Sequence, residues 1–225
     1  MSKKKLLSLA LIVIMIAILS FSTLAWFNDS ESVTNKFQIA TSADPYDPDA
    51  IFSVDLWEKT PGNDKEQVGH TYEKILPGSH LQKEANVENT GAYDQYIRVV
   101  VTLSNANAWV DILGYGYDLQ TIFQGHDEAL WTRTVGTHDT AANTLTYVYY
   151  LNEKLVPTAT AQLFSGVVIP SHLTQEDMAK LGGSFELTLR ADALQTENLG
   201  DGVDTAEEAF AAVNWGNYIN TEPQA

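Results

Sequence analysis

The strongest constraint on this fold is a period of two. Tyr96–Leu103 sets Ile97, Val99, Val101 and Leu103 against Tyr96, Arg98, Val100 and Thr102. Ser184–Leu194 sets Phe185, Leu187, Leu189, Ala191 and Ala193 against Glu186, Thr188, Arg190 and Asp192. Successive side chains of a strand point to opposite faces, so each run buries one face of a sheet and leaves the other wet. Half-buried strands of this kind belong to antiparallel sheets. Thr144–Leu151 is uncharged, aromatic and β-branched, and is a third strand. Shorter candidates lie at 36–41, 51–58, 80–88, 119–123, 129–135, 161–164 and 167–169.

Turn signals separate these runs. Asn89-Thr90-Gly91-Ala92 lies between His80–Glu88 and Tyr96–Leu103, which predicts a hairpin of those two strands. Leu76-Pro77-Gly78 and Pro61-Gly62-Asn63-Asp64 mark further turns, the second inside a polar loop over 60–69. Asn105–Leu119 reads as irregular, with a helical turn near Ala108–Leu113. Two short helices are expected. One is capped by Thr174 and stopped by Gly182-Gly183; the other is capped by Asp204, with Glu207 at its third position, and ends near Val213. Many short strands with two short helices give an all-β antiparallel sandwich.

The amino end reads as an export signal. Lys3, Lys4 and Lys5 precede an apolar run from Leu6 to Leu19. Thr23 and Ala25 then form a small-residue cleavage site, which predicts a cut between Ala25 and Trp26. The competing expectation is an uncleaved anchor, because Leu6–Phe27 carries no charge and about twenty such residues span a bilayer core. Both place the rest of the chain outside the cell. The expected organisation is a signal at 1–25, an amino-terminal arm at 26–41, a sandwich at 42–214 and a tail at 215–225 with Trp215 and Tyr218 as anchors.

The formal net charge of −16 becomes −19 once a leader with three lysines and no acid is removed. That balance argues against nucleic acid and against anionic membrane surfaces as partners. The membrane is expected to be met only through the signal segment. There is no cysteine, so an exported chain of this kind is held by its core, by a metal or by its neighbours.

The arm has widely spaced apolar residues. Asn28–Asn35 has little that would fold alone; it is either a flexible terminus or a strand that pairs with a sheet edge, in its own subunit or another. Asp44, Asp47 and Asp49 in the loop over 42–50 supply oxygen ligands of the kind calcium takes, without the spacing of an EF-hand. No other cofactor is expected. A helical His-Glu-x-x-His is absent: His70, His80, His126, His138 and His172 are never three or four apart. His126-Asp127-Glu128 and His138-Asp139 read as exposed loop residues. No nucleophile elbow or phosphate-binding glycine loop appears, and no catalytic residue is assigned. Tyr147 and Tyr149 suit either a sugar-binding face or a buried strand. Thr144–Leu151 likewise has the composition of a fibril-forming segment, with a core strand as the favoured reading.

Three passages together carry a family resemblance. They are Ala25-Trp26-Phe27-Asn28-Asp29 with Asn35-Lys36-Phe37; Leu76-Pro77-Gly78 with Val87-Glu88-Asn89-Thr90-Gly91 and Ile97-Arg98-Val99; and Phe185–Gln195 ending Ala191-Asp192-Ala193-Leu194-Gln195. In this order they resemble the TasA/camelysin family of Gram-positive bacteria. The stretch 105–142 matches nothing in that pattern. The resemblance implies a jelly-roll-like sandwich, processing by a dedicated signal peptidase, secretion, and assembly into the fibres of a biofilm matrix. It further implies a homopolymer built head to tail, in which the arm completes the sheet of the next subunit. The candidate anchors here are Trp26, Phe27, Val33, Phe37 and Ile39. Two other readings stand beside it: a camelysin-type metalloprotease, and a cell-surface binding module that does not self-assemble.

Overall fold

The computed structural model describes residues 28–32, 35–36, 42–44, 47–67, 69–114, 119–134, 136–181, 185–196, 199 and 203–213. The first strands are β1 (Asn28–Ser32), β2 (Asn35–Lys36), β3 (Ser42–Asp44), β4 (Asp47–Ile51), β5 (Val54–Thr60), β6 (Asn63–Glu66), β7 (His80–Leu81) and β8 (Glu84–Asn89). They are followed by β9 (Gln95–Ser104), β10 (Phe123–Gln124), β11 (Trp131–Arg133), β12 (Thr137–Asp139), β13 (Thr144–Leu151), β14 (Thr160–Phe164), β15 (Gly166–Val168) and β16 (Leu187–Gln195). The helices are α1 (Ala106–Leu113), α2 (Gln175–Lys180) and α3 (Ala206–Ala212). Among them no helix is long and apolar enough to cross a membrane.

The fold is all-β and its sheets are antiparallel. The larger layer runs β11-β13-β9-β16-β1-β2, with β12 also on β13. Its centre is built from the longest alternating runs of the sequence. β9 pairs with β16 from Gln95↔Gln195 to Leu103↔Leu187, and with β13 on its other side. The second layer consists of β14-β8-β5-β6 and β10-β15-β7. These two short sheets are continuous through a crease. Only Ser165 separates β14 from β15, and only Gln82 and Lys83 separate β7 from β8. The pairing resumes across the crease, from Phe164↔Ala85 to Val167↔Leu81. One apolar core joins the layers: Leu56, Val87 and Leu163 from one, Val99, Tyr149 and Leu189 from the other. This is face-to-face sheet packing.

Several expectations are corrected. The run His80–Glu88 is two strands, and it does not form a hairpin with Tyr96–Leu103, because β8 and β9 lie in different layers. The turn between them is an arch in which Asn89 makes three of the hydrogen bonds. Asn89 Nδ2 donates to Tyr93 O at 2.8 Å and to Leu155 O at 2.7 Å, while its Oδ1 accepts from Gly91 N at 2.9 Å. An asparagine that caps its own turn and reaches across to another segment turns the chain from layer to layer. The polar loop over 60–69 contains a strand, since β6 folds back on β5 around Pro61-Gly62, with Gly62 at φ +81. The acidic loop over 42–50 likewise pairs β3 with β4.

The expected strand over 51–58 is divided, ending at Ile51 and restarting at Val54. Leu119–Ile122 is a 3₁₀ turn rather than a strand, with only Phe123–Gln124 extended. Among the described residues there are three helices, where two and a helical turn are expected. The expected turn near Ala108 is the full α1, which Asn105 starts at φ 57 and which seats fully buried Trp109 edge-on against Phe185. The last helix is capped by Thr205, not Asp204, and its box partner is Glu208. There the Thr205 hydroxyl reaches Glu208 N while the Glu208 carboxylate returns to Thr205 N. The tail from 215 onward lies outside the described residues.

Thr144–Leu151 is the core strand it was expected to be, with strand neighbours on both sides and Leu145, Tyr147, Tyr149 and Leu151 buried. Tyr147 and Tyr149 therefore present no sugar-binding face. His126 and His138 are half-buried rather than loosely exposed. His126 Nδ1 lies 3.1 Å from Leu163 O, with its ring edge-on to Tyr149, and His138 Nε2 lies 2.8 Å from Asn107 Oδ1.

Candidate functional site

The arm is the first candidate. Its backbone pairs within its own chain: β1 runs antiparallel to β16, with Asn28 opposite Leu194 and Ser32 opposite Arg190. β2 folds back on β1, with Lys36 opposite Glu31 and Asn35 opposite Ser32. The sequence of β1 is Asn-Asp-Ser-Glu-Ser, types depleted or neutral in strands and poor in apolar surface. The edge of β16 therefore supplies the reason for this strand, through backbone hydrogen bonds. The expected strand lies further on, at Lys36–Thr41. Of that stretch the structure describes only Lys36, the end of β2.

The cleavage residues Thr23, Ala25 and Trp26 lie outside the described residues, as do Phe27, Val33, Phe37 and Ile39. For Asp44, Asp47 and Asp49 only the backbone is described, and it sets Asp44 opposite Asp47. Among the described residues no three His, Asp or Glu side chains gather to hold a metal ion.

β1 leaves part of β16 uncovered. Every residue of β16 pairs with β9, but β1 begins only at Arg190, so among the described residues the opposite edge of Leu187–Leu189 has no strand beside it. A groove of about 890 Å³ opens alongside. Its apolar surface includes Leu81, Val167, Met178, Leu181, Phe185 and Leu187, and its other wall is the extended segment 69–75. Size and lining are those of a binding cleft.

A buried ion pair adjoins the groove. Lys83 lines the groove and pairs with Glu58, whose side chain is wholly buried on the core face of β5. Glu58 Oε1 and Thr60 Oγ1 are buried and have no hydrogen-bond partner among the described residues. Tyr72, on the segment opposite, donates its hydroxyl to Gln82 O. Burial and, next, the charge of Glu58 push its phenol up to about 12.

This shift has a sign in stability. The folded value lies above the ordinary tyrosine value of about 10, so folding favours the protonated form. Tyr72's contribution is complete below pH 10 and is lost as pH rises through 12. The stability advantage of the native chain over Tyr72→Phe is therefore constant up to about pH 10 and declines above it, as urea unfolding across an alkaline series will record. An advantage that grew above pH 10 would reverse the assignment.

None of the groove was legible beforehand. Glu58 and Lys83 are twenty-five positions apart and fall in two separate strand candidates, 51–58 and 80–88. The one available signal was a charged residue at an inward position, since Glu58 shares the parity of Val54 and Leu56. Comparison of the chain with protein-family models and with curated proteins finds no match.

Proposed function

We propose that the protein is a secreted structural subunit that assembles into extracellular fibres when the arm of one copy adds to a sheet edge of the next. The observation that carries this reading is the pairing of β1 on β16. A strand made wholly of polar residues is held there mainly through its backbone. The same ladder accepts an equivalent strand from a second copy at little difference in free energy, which is the condition for exchanging an element between protomers. An exchange of this kind is head to tail, and where the rotation does not close it produces a filament. The antiparallel layers are compatible with the jelly-roll-like arrangement that the family resemblance implies, and the acidic surface suits an exported protein that stays soluble until it assembles.

The test is deletion of Phe27–Ala40 from the chain that starts at Trp26. The central β9–β16 pairing is untouched by this deletion, so a folded, soluble monomer is expected, with filaments absent by electron microscopy. Filaments that persist would refute assembly through the arm.

A further inference from the structure

The segment 69–75 is held differently from the rest of the sandwich. Among the described residues it makes no backbone hydrogen bond to either layer. Its fixed points lie outside it: β6 ends at Glu66, and at the other end Leu76 N donates to Ser79 Oγ at 2.9 Å while Gly78 N donates to Ile169 O at 2.9 Å. Both ends of the segment carry a left-handed backbone, Gly69 at φ 94 and Lys74 at φ 57. For lysine that conformation is unfavourable and persists only where its surroundings impose it. Between these points the contacts are few. The Tyr72 hydroxyl donates to Gln82 O, the rings of His70 and Tyr72 meet edge to face at 4.7 Å, and Ile75 packs on the core.

We infer that residues 69–75 form a hinged strap over the groove and that Tyr72 is its latch. The two left-handed positions are the hinges. When the strap lifts, the apolar floor at Met178, Leu181 and Phe185 is uncovered together with the edge of Leu187–Leu189, which has no strand beside it among the described residues. The strap then controls access to the part of β16 that β1 does not reach. A closed strap is favoured only narrowly, because ordering this many residues costs conformational entropy that one hydrogen bond and the packing of Ile75 must offset. Tyr72 serves as a latch because its hydroxyl remains a donor over the whole physiological range. The strap stands without any assumption about what enters; only the idea that an extended strand of a second copy does so rests on the fibre reading.

Tyr72→Phe keeps the ring and removes the donor. In limited proteolysis by trypsin, Lys74 reports strap opening, while Arg98, buried in the larger sheet, reports unfolding of the whole domain. Where opening is fast, cleavage follows the population of the open form. Tyr72→Phe is expected to speed cleavage after Lys74 about fivefold, the effect of one net hydrogen bond. Binding of anilinonaphthalene sulfonate, an apolar-surface probe, rises in parallel. Asp192→Ala, which weakens the whole domain away from the strap, is expected to speed cleavage after Arg98 and to leave the Lys74 rate unchanged. An unchanged Lys74 rate in Tyr72→Phe overturns the strap, and so does equal acceleration at Lys74 and Arg98 in Asp192→Ala, which means that Lys74 is cut only from the unfolded chain. If Tyr72→Phe lifts the strap and filament assembly does not change, the strap stands and strand entry at this edge is refuted.

Discussion

Asp192→Ala lowers the stability of the domain by about 3–5 kcal/mol, the cost of breaking a buried ion pair from one side. Asp192 is fully buried and Arg98, directly opposite it on β9, is 3% exposed. Arg98 Nε donates to Asp192 Oδ2 at 3.0 Å, and Arg190 Nε lies 3.0 Å from Oδ1. The aromatic ring of Phe210, on α3, covers the pair, 4.4 Å from Arg98 Cζ. Removing the carboxylate leaves a guanidinium in a site that water does not reach. Urea unfolding measures the loss as a fall in midpoint with little change in slope. The double variant Arg98→Met with Asp192→Leu removes both charges and is expected to recover most of the stability, since apolar residues of similar volume often replace a buried pair without loss. A single variant as stable as the native chain, or a double variant no better than the single, would show that the pair is not what holds this end of the sheet.

Lys83→Met is the second large effect, again about 3–5 kcal/mol, and it acts at the groove. Glu58 lies wholly inside the sandwich, and the Lys83 ammonium is its ion-pair partner. With that ammonium gone, a carboxylate already short of a hydrogen bond at Oε1 loses its compensating charge. Glu58→Leu combined with Lys83→Met is expected to restore stability. The measurement is the same urea series, with anilinonaphthalene sulfonate binding as a second readout, since Lys83 also lines the groove. If the double variant is stable but its groove binds more probe, the pair shapes the cleft as well as the fold. If Lys83→Met costs less than about 1 kcal/mol, the pair is not buried in solution.

These two pairs mark the limit of what alternation reveals. Arg98 and Asp192 were read as members of a solvent face because they alternate with Ile97, Val99, Ala191 and Ala193. That reading fails at one end of the sheet, where α3 lies across β9 and β13 and buries Tyr96, Leu194 and Phe210 in a second small core. The helix comes from residues 206–212, and no local pattern in β9 or β16 announces a cover supplied from there. The arch at Asn89 failed for a similar reason: a glycine-containing turn between two strands is compatible with a hairpin or with a crossing between layers. The bonds from Asn89 to Tyr93 and Leu155 decided for the crossing.

The sequence by itself determined which runs are strands wherever a full apolar face repeats. Val99 and Leu189 lie in the core on that account, as do Tyr147 and Tyr149, because a period of two gathers the alternate apolar residues of a strand on one face. It also determined the start of α2 at Thr174, a local bond between neighbouring residues. Only the tertiary structure decided which strands pair, which polar residues are buried and where the arm rests. Those depend on edges and covers contributed by distant segments. The all-polar Asn28–Ser32 becomes a strand only because β16 presents an unfilled row of backbone donors and acceptors beside it.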